Sequence, residues 1–295
     1  MENDNNTNIP NKESVSDVLK KYKESNNIIP PKVNSFSQEE FKKNLTKETD
    51  PDLMTTYEHI KLPSKGLFYE NNLSEIDIEY LTSKDEDILT TPSLIESGKA
   101  LEILLKRKIK TPGVDPKNLL SGDRNAILLF LRTSSYGTNY TVQVPDPRTG
   151  VLFKSNVDLH KLKYKELTEL PDSNGLFYVE LPMRKKTVAI KLLTNGEEDH
   201  IFKTAEATKE AFNREFSEYS TMKLKAHIYS INERVDRDYI NKFIDAMPAL
   251  DAYTIRKKIL DVSPDVDMTY EFTALDGYKF NANLSIGIDF FFPSI

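Results

Sequence analysis

Residues 119–137 read LLSGDRNAILLFLRTSSYG, and no other stretch narrows the fold as much. A Ser-Gly-Asp turn runs into Ala126, Ile127, Leu128, Leu129, Phe130 and Leu131, apolar at every angle around a helix axis. A helix with no polar face is buried on most sides, so other elements must wrap around it. Asp123 or Ser121 is placed to cap a helix beginning near Arg124, since a short polar side chain there accepts from a free backbone N–H. Arg132 then lies near the end of a buried rod. An unpaired buried guanidinium is costly, so it requires a carboxylate or several carbonyls, and Asp85, Glu86 and Asp87 are the candidates. Tyr136-Gly137 ends the helix. No His, Ser or second carboxylate lies near enough in sequence to suggest chemistry. Asp123, Arg124, Arg132, Tyr136 and Gly137 are therefore read as structural residues.

The rest of the chain divides into three regions. Residues 1–55 form a flexible N-terminal arm, because their Asn, Ser, Lys, Glu and Pro bury little surface. The arm carries two short amphipathic pieces. Val15, Val18, Leu19 and Tyr22 fall on one helical face. In FSQEEFKKNL, Ser37 and Glu40 make a capping box, and Phe36, Phe41 and Leu45 form an apolar stripe. Val15, Leu19, Tyr22, Phe36, Phe41 and Leu45 are candidate binding residues, with docking on the chain's own body or on a partner left open.

Residues 56–168 read as a core α+β region. YEHIKLPSKGLFY predicts a strand, a turn and a second short strand. EIDIEYL alternates, with Ile76, Ile78 and Tyr80 inward and Glu75, Asp77 and Glu79 on a solvated face. Ser83 with Glu86 makes a capping box. Thr91-Pro92 then starts a longer helix with Leu94, Ile95, Leu101, Leu104 and Leu105 buried. Lys106, Arg107, Lys108 and Lys110 close it. They either complement the helix dipole or form a phosphate-binding patch. TNYTVQVPDPRTGVLFKSNVDL predicts a hairpin.

Residues 169–295 read as a second α+β region. Two strands flank Met183-Arg184-Lys185-Lys186. An Asn195-Gly196 turn leads to a helix near 200–218, burying Ile201, Ala205, Phe212 and Phe216. Residues 221–231 fit helix or strand, with neighbouring helices favouring helix. Two helices follow, separated by Pro248. Leu250, Tyr253, Ile255 and Ile259 line the second, and Asp251 is placed to cap it. A hairpin turning at Leu275-Asp276-Gly277 closes the region. Beyond it, strand alternation buries Phe290 and Phe292 and leaves Phe291 on the other face, where this aromatic run either packs in the core or, with Phe291 and Pro293, binds a partner.

Several classes of function lack their residues. A net charge of -6 disfavours a surface that coats nucleic acid. With no Cys there is no disulfide, thiolate metal site or cysteine nucleophile. Asp261, Ser263, Asp265 and Asp267 match no calcium loop and read as a capped turn. His59, His160, His200 and His227 are scattered, with no pair at i, i+4. No nucleophile elbow, phosphate loop or dinucleotide fingerprint occurs. No apolar run approaches the ~20 residues of a membrane span, and the N-terminus has no signal pattern. Neither an enzyme, a cofactor, a metal, a small-molecule substrate nor a membrane is expected.

SGDRNAILLFLRTSSYG, preceded by YLTSKDEDILTTP and followed by TNYTVQV, resembles the baseplate protein family of T-even-type contractile-tailed bacteriophages. MPALDAYTIRKKI, SPDVDM and the closing IDFFFPS resemble that family's final segment. The likeness covers about residues 57–295 and omits the arm. It implies a structural or assembly component of the baseplate hub, made in the host cytoplasm and bound to other baseplate and tail proteins. An assembly factor absent from the virion is an alternative. So is a nucleic-acid-binding accessory protein using Lys106–Lys110 and Arg184–Lys186. Where relatives carry paired Cys at two turns, this chain has VPDP (144–147) and ALDG (274–277), ordinary turn formers that hold no metal. The expected fold is α+β: short antiparallel hairpins around a buried central helix, with a helical cluster before a C-terminal hairpin.

Overall fold

The structure, a computed structural model, describes residues 56–69 and 71–292. Alternation in EIDIE produces the first pairing. Strand β1 (Tyr57–Lys61) runs antiparallel to β2 (Glu75–Glu79), with Ile60 opposite Ile76. Ile76 and Ile78 are fully buried while Glu75 faces solvent. The second strand expected within GLFY is instead a run of turns. The partner of β1 comes from EIDIE, and Leu62 donates to the Ser74 carbonyl to close the loop.

Helix α1 (Ser83–Thr90) begins one residue earlier than expected. Thr82 and Asp85, not Ser83 and Glu86, form the box, and the Asp85 carboxylate accepts from both the N–H and the hydroxyl of Thr82 at 2.8 Å. The long helix expected after Pro92 is two. α2 (Pro92–Glu96) and α3 (Ala100–Lys108) are separated at Gly98, whose φ of +66° no helix accommodates. Leu104 and Leu105 are buried, but Ile95 is exposed.

The apolar rod is α4 (Ser121–Tyr136), capped by Gly137. Ala126, Ile127, Leu128 and Leu131 are buried, and Leu129 and Phe130 half-buried. A hairpin of β3 (Asn139–Pro145) and β4 (Leu152–Asp158) follows. Strands β5 (Leu176–Glu180), β6 (Thr187–Lys191) and β7 (Ile228–Ile231) make a three-stranded antiparallel sheet.

Between β6 and β7 lie α5 (Asn195–Ala211) and α6 (Tyr219–His227). Asn195-Gly196 is the first turn of α5, because Thr194 and Glu197 form a capping box just ahead of it. Phe212 and Phe216 lie beyond the helix and are each 69% exposed, so they are not core residues. Residues 221–231 divide at Ile228 into helix then strand.

Helices α7 (Arg237–Asp245) and α8 (Ala249–Val262) pack on this sheet, burying Ile240, Phe243, Ile244 and Ile255. Leu250 and Tyr253 point outward, since the buried stripe of α8 is Asp251, Ala252, Ile255 and Val262. The last hairpin is β8 (Thr269–Thr273) with β9 (Lys279–Asn283). Residues Ile288–Phe291 form a 3₁₀ turn rather than a strand. Its near-threefold period brings adjacent side chains inward, so Phe290 and Phe291 are both buried and Phe292 is half-exposed. Phe291 is therefore not free to bind a partner.

Thr55–Ile295 is one compact unit with two buried clusters. The first gathers side chains from β1, β2, α1, α3, α4, β3 and β4, together with Phe272, Ala274, Leu284, Phe290 and Phe291. The second draws its buried members from one uninterrupted run, Phe177 to Val262. The architecture is α+β, with short antiparallel sheets around a buried central helix.

Candidate functional site

Each end of α4 carries a buried charged side chain, Asp123 at the start and Arg132 near the close. At its start the helix begins at Ser121, two residues upstream of Asp123. Asp123 therefore does not cap it. Its Oδ1 accepts from the Ser64 N–H at 2.9 Å and its Oδ2 from the Tyr69 hydroxyl at 2.5 Å. The same hydroxyl accepts from the Leu120 N–H at 2.9 Å. Burial pushes the Asp123 carboxyl up, against hydrogen bonds from Ser64 and Tyr69. Burial, then the Asp123 charge, pushes the Tyr69 hydroxyl far above its ordinary value. Gly122 meets the 264–265 backbone: a Cβ there would lie 1.9 Å from the Pro264 carbonyl oxygen.

Arg124 is half-buried. Burial lowers its pKa, opposed by the charges of Asp199 and Glu198. Beside it, Ser121 donates to Glu198 at 2.7 Å, and Lys223 pairs with the same carboxylate at 2.8 Å. Ser121, Glu198 and Lys223 line a cavity of about 390 Å³ between the start of α4, α6 and α8. His227 reaches it, 4% exposed, with Nδ1 2.8 Å from the Lys191 carbonyl. Burial holds its pKa below the usual histidine value. Glu198 and His227 are thus committed to neighbours. Among the described residues, no serine, threonine or lysine donates to a histidine.

At the far end of α4, Arg132 is 1% exposed and, among the described residues, its hydrogen bonds go to carbonyls rather than to a carboxylate. Three carbonyls hold it: Nε donates to Phe290 at 2.7 Å, Nη1 to Gly137 at 2.9 Å and Nη2 to Asn139 at 3.2 Å. The rings of Tyr136 and Tyr140 lie 5.4 and 5.9 Å from its guanidinium carbon. Two of the acids considered as its partners serve other groups. Glu86 accepts from the Tyr136 hydroxyl at 2.7 Å, and Asp85 is taken by Lys108 and Arg107.

That last arrangement was invisible in the sequence. Lys108, 1% exposed, lies 2.5 Å from Asp85 and 3.1 Å from Glu79, and donates to the Tyr80 carbonyl. Arg107 pairs with Asp85, Lys110 with Glu79 and Lys106 with Glu102. Each cation of the basic run therefore has a carboxylate partner within the molecule, with Asp85 and Glu79 each shared by two of them. An inward residue beside an inward acid at complementary helix positions was the only available hint.

The two turns 144–150 and 274–278 meet in space. Arg148 Nη2 lies 2.9 Å from Asp146 and 2.7 Å from Asp276, and its guanidinium stacks 4.0 Å from the centre of the Tyr278 ring. Among the described residues no three His, Asp or Glu side chains gather as a metal site. Asp265 accepts from Asn125 and from the Val266 N–H, and Asp267 from the Thr269 N–H. Val15, Leu19, Tyr22, Phe36, Phe41, Leu45 and Pro293 lie outside the described residues. No described helix is long and apolar enough to cross a membrane.

Ionic and hydrogen-bonding groups turned inward, joining segments far apart in the chain, define a bracing scaffold. The family model described as T4 bacteriophage base plate protein matches residues 54–291, and the chain belongs to that family of phage baseplate proteins. No curated protein and no solved structure matches it. The family gives the chain a structural role in the tail baseplate, alongside other tail proteins.

Proposed function

We propose that the chain is a structural component of the baseplate hub of a contractile tail, joining other tail proteins by surface complementarity and performing no chemistry. Family membership carries this reading. The inward commitment of Asp123, Arg124, Arg132, Tyr136 and Gly137 supports it, because these groups brace the fold rather than face a substrate. Exposed Phe212 and Phe216 offer apolar area of the kind that protein partners cover. Residues 1–55 act as the docking arm, through Val15, Leu19 and Tyr22 and through Phe36, Phe41 and Leu45. Assembly takes place in the host cytoplasm, and the finished chain resides in the virion.

Mass spectrometry of purified tails tests the first point: the chain is present in mature particles, and its absence makes it an assembly factor. A pull-down from infected cells with and without residues 1–50 tests the arm. Truncation removes one specific tail protein; unchanged partners overturn the docking role.

A further inference from the structure

The connection between β5 and β6 carries a cluster of cations that the fold does not neutralise. Arg184, Lys186 and Lys242, with Tyr239 and Phe243, line an open depression of about 530 Å³, and Lys185 lies in the same turn. Among the described residues, no carboxylate lies within 4.0 Å of the cationic groups of Arg184, Lys185, Lys186 or Lys242. The Lys106–Lys110 run is the contrast, with every cation there paired. In a chain of net charge -6, an uncompensated basic cluster is a local exception.

The turn that bears it is held rigidly. The buried Asp251 accepts from the backbone N–H groups of Met183 at 2.7 Å and Arg184 at 3.2 Å, which ties the turn to α8. Lys185 donates its N–H to the Leu181 carbonyl and sits at φ +51°, a conformation that glycine or asparagine adopts more easily. Arg184 is anchored on the Ala246 carbonyl and over the Phe243 ring, 4.5 Å from its centre. A guanidinium fixed in this way before binding loses little freedom when an anion arrives.

We propose that this depression, lined by Arg184, Lys186 and Lys242 with Lys185 in the adjoining turn, docks an acidic segment of a neighbouring tail protein. The inference rests on the reading of the chain as a baseplate component and names the chemistry of one contact. A peptide fits better than a nucleic acid for two reasons. Single-stranded nucleic acid binds where ring faces are open for base stacking. Here Arg184 covers Phe243, and Arg234 lies 4.1 Å over Tyr239. The net negative charge also repels an extended polyanion at long range, whereas a short acidic segment meets only the local field.

The test is fluorescence anisotropy of the full chain at low ionic strength with a dye-labelled hexaglutamate peptide, and with a hexathymidylate oligonucleotide for comparison. The peptide binds more tightly than the oligonucleotide, and added salt weakens it. Lys186→Glu with Lys242→Glu weakens peptide binding about tenfold. Lys186→Gln with Lys242→Gln gives a smaller loss in the same direction, and Lys203→Gln on α5 gives none. Unfolding midpoints of all variants are matched to the wild type, since neither lysine pairs with a carboxylate among the described residues. Equal binding by the Glu variants, or preference for the oligonucleotide at this patch, overturns the proposal. Incorporation into tails separates the two readings. If wild type and Glu variant enter tails with the same partners, the docking patch fails while the baseplate role stands. If the wild type is absent from tails, the role as a permanent component fails, and the peptide titration still decides the patch.

Discussion

The Nε of Arg132 donates to the Phe290 carbonyl at 2.7 Å, joining the end of α4 to a turn 158 residues later. With Gly137 and Asn139 it satisfies three carbonyls through one planar group. Arg132→Ala strands those acceptors and lowers stability by about 3 kcal/mol, read as a lower denaturant midpoint with unchanged slope. Arg132→Lys recovers only part, because an ammonium cannot reach three acceptors in one plane. A loss below about 1 kcal/mol, the size of one ordinary hydrogen bond, removes the brace from the account.

Of the glycines, Gly122 leaves the least room for a side chain. A methyl group there lands 1.9 Å from the Pro264 carbonyl oxygen and 2.6 Å from the Asp265 Cα, and neither is a flexible side chain. Gly122→Ala therefore forces the start of α4 away from the 264–265 segment. It costs about 3 kcal/mol despite alanine's better helix propensity. Gly287, with no neighbour within 4 Å of its Cβ position, is the control, and Gly287→Ala changes stability by under about 1 kcal/mol.

The Lys108–Asp85 pair gives a pH signature. Burial pushes the Asp85 carboxyl up, but hydrogen bonds from Lys108, Thr82 and Arg107 outweigh it and hold the pKa below the usual carboxylate range. A depressed folded pKa stabilises above the unfolded value, about 3.9, and that stability is lost as pH falls through the folded value. Lys108→Met costs about 3 kcal/mol at neutral pH, because it leaves a buried carboxylate short of one cation. The gap between wild type and variant narrows as pH drops below about 4. A gap that stays constant to pH 2 in acid denaturation series contradicts this.

Tyr136 acts at the other end of the scale. Burial first, then the hydrogen bond to Glu86, pushes its hydroxyl up to about 12. A raised folded pKa gives stability that is complete below the unfolded value, about 10, and is lost as pH rises through the folded one. Stability therefore declines between about pH 10 and 12, and Tyr136→Phe flattens that decline. An identical alkaline slope in both proteins refutes the assignment.

The legible parts of this fold were those encoded by local pattern. Alternation in EIDIE, the turn Leu275-Asp276-Gly277 and the unbroken apolar face of α4 each specify an element without reference to the rest of the chain. Errors arose where two local signals compete within a residue or two. Thr82–Asp85 and Ser83–Glu86 are both capping patterns in one run, and only packing selects the first. A strand and a 3₁₀ turn place Phe291 on opposite sides, and the turn that forms is the one whose Phe290 carbonyl accepts from Arg132, a residue far away in the chain. The polar partners were the least legible. Carbonyls carry no side-chain signature, so the three that hold Arg132 could not be named in advance. Asp123 meets Ser64 and Tyr69 across more than 50 residues, a distance no periodicity reports.

The division of the two buried clusters sets an order of events during translation. Every buried side chain of the second cluster has been synthesised once Val262 is added, so that half can collapse while the ribosome is still at work. The first cluster begins at Ile60 yet waits for Phe290 and Phe291. Its apolar surfaces cannot close fully until those two side chains have been added, so the beginning of the unit is completed by what is made last.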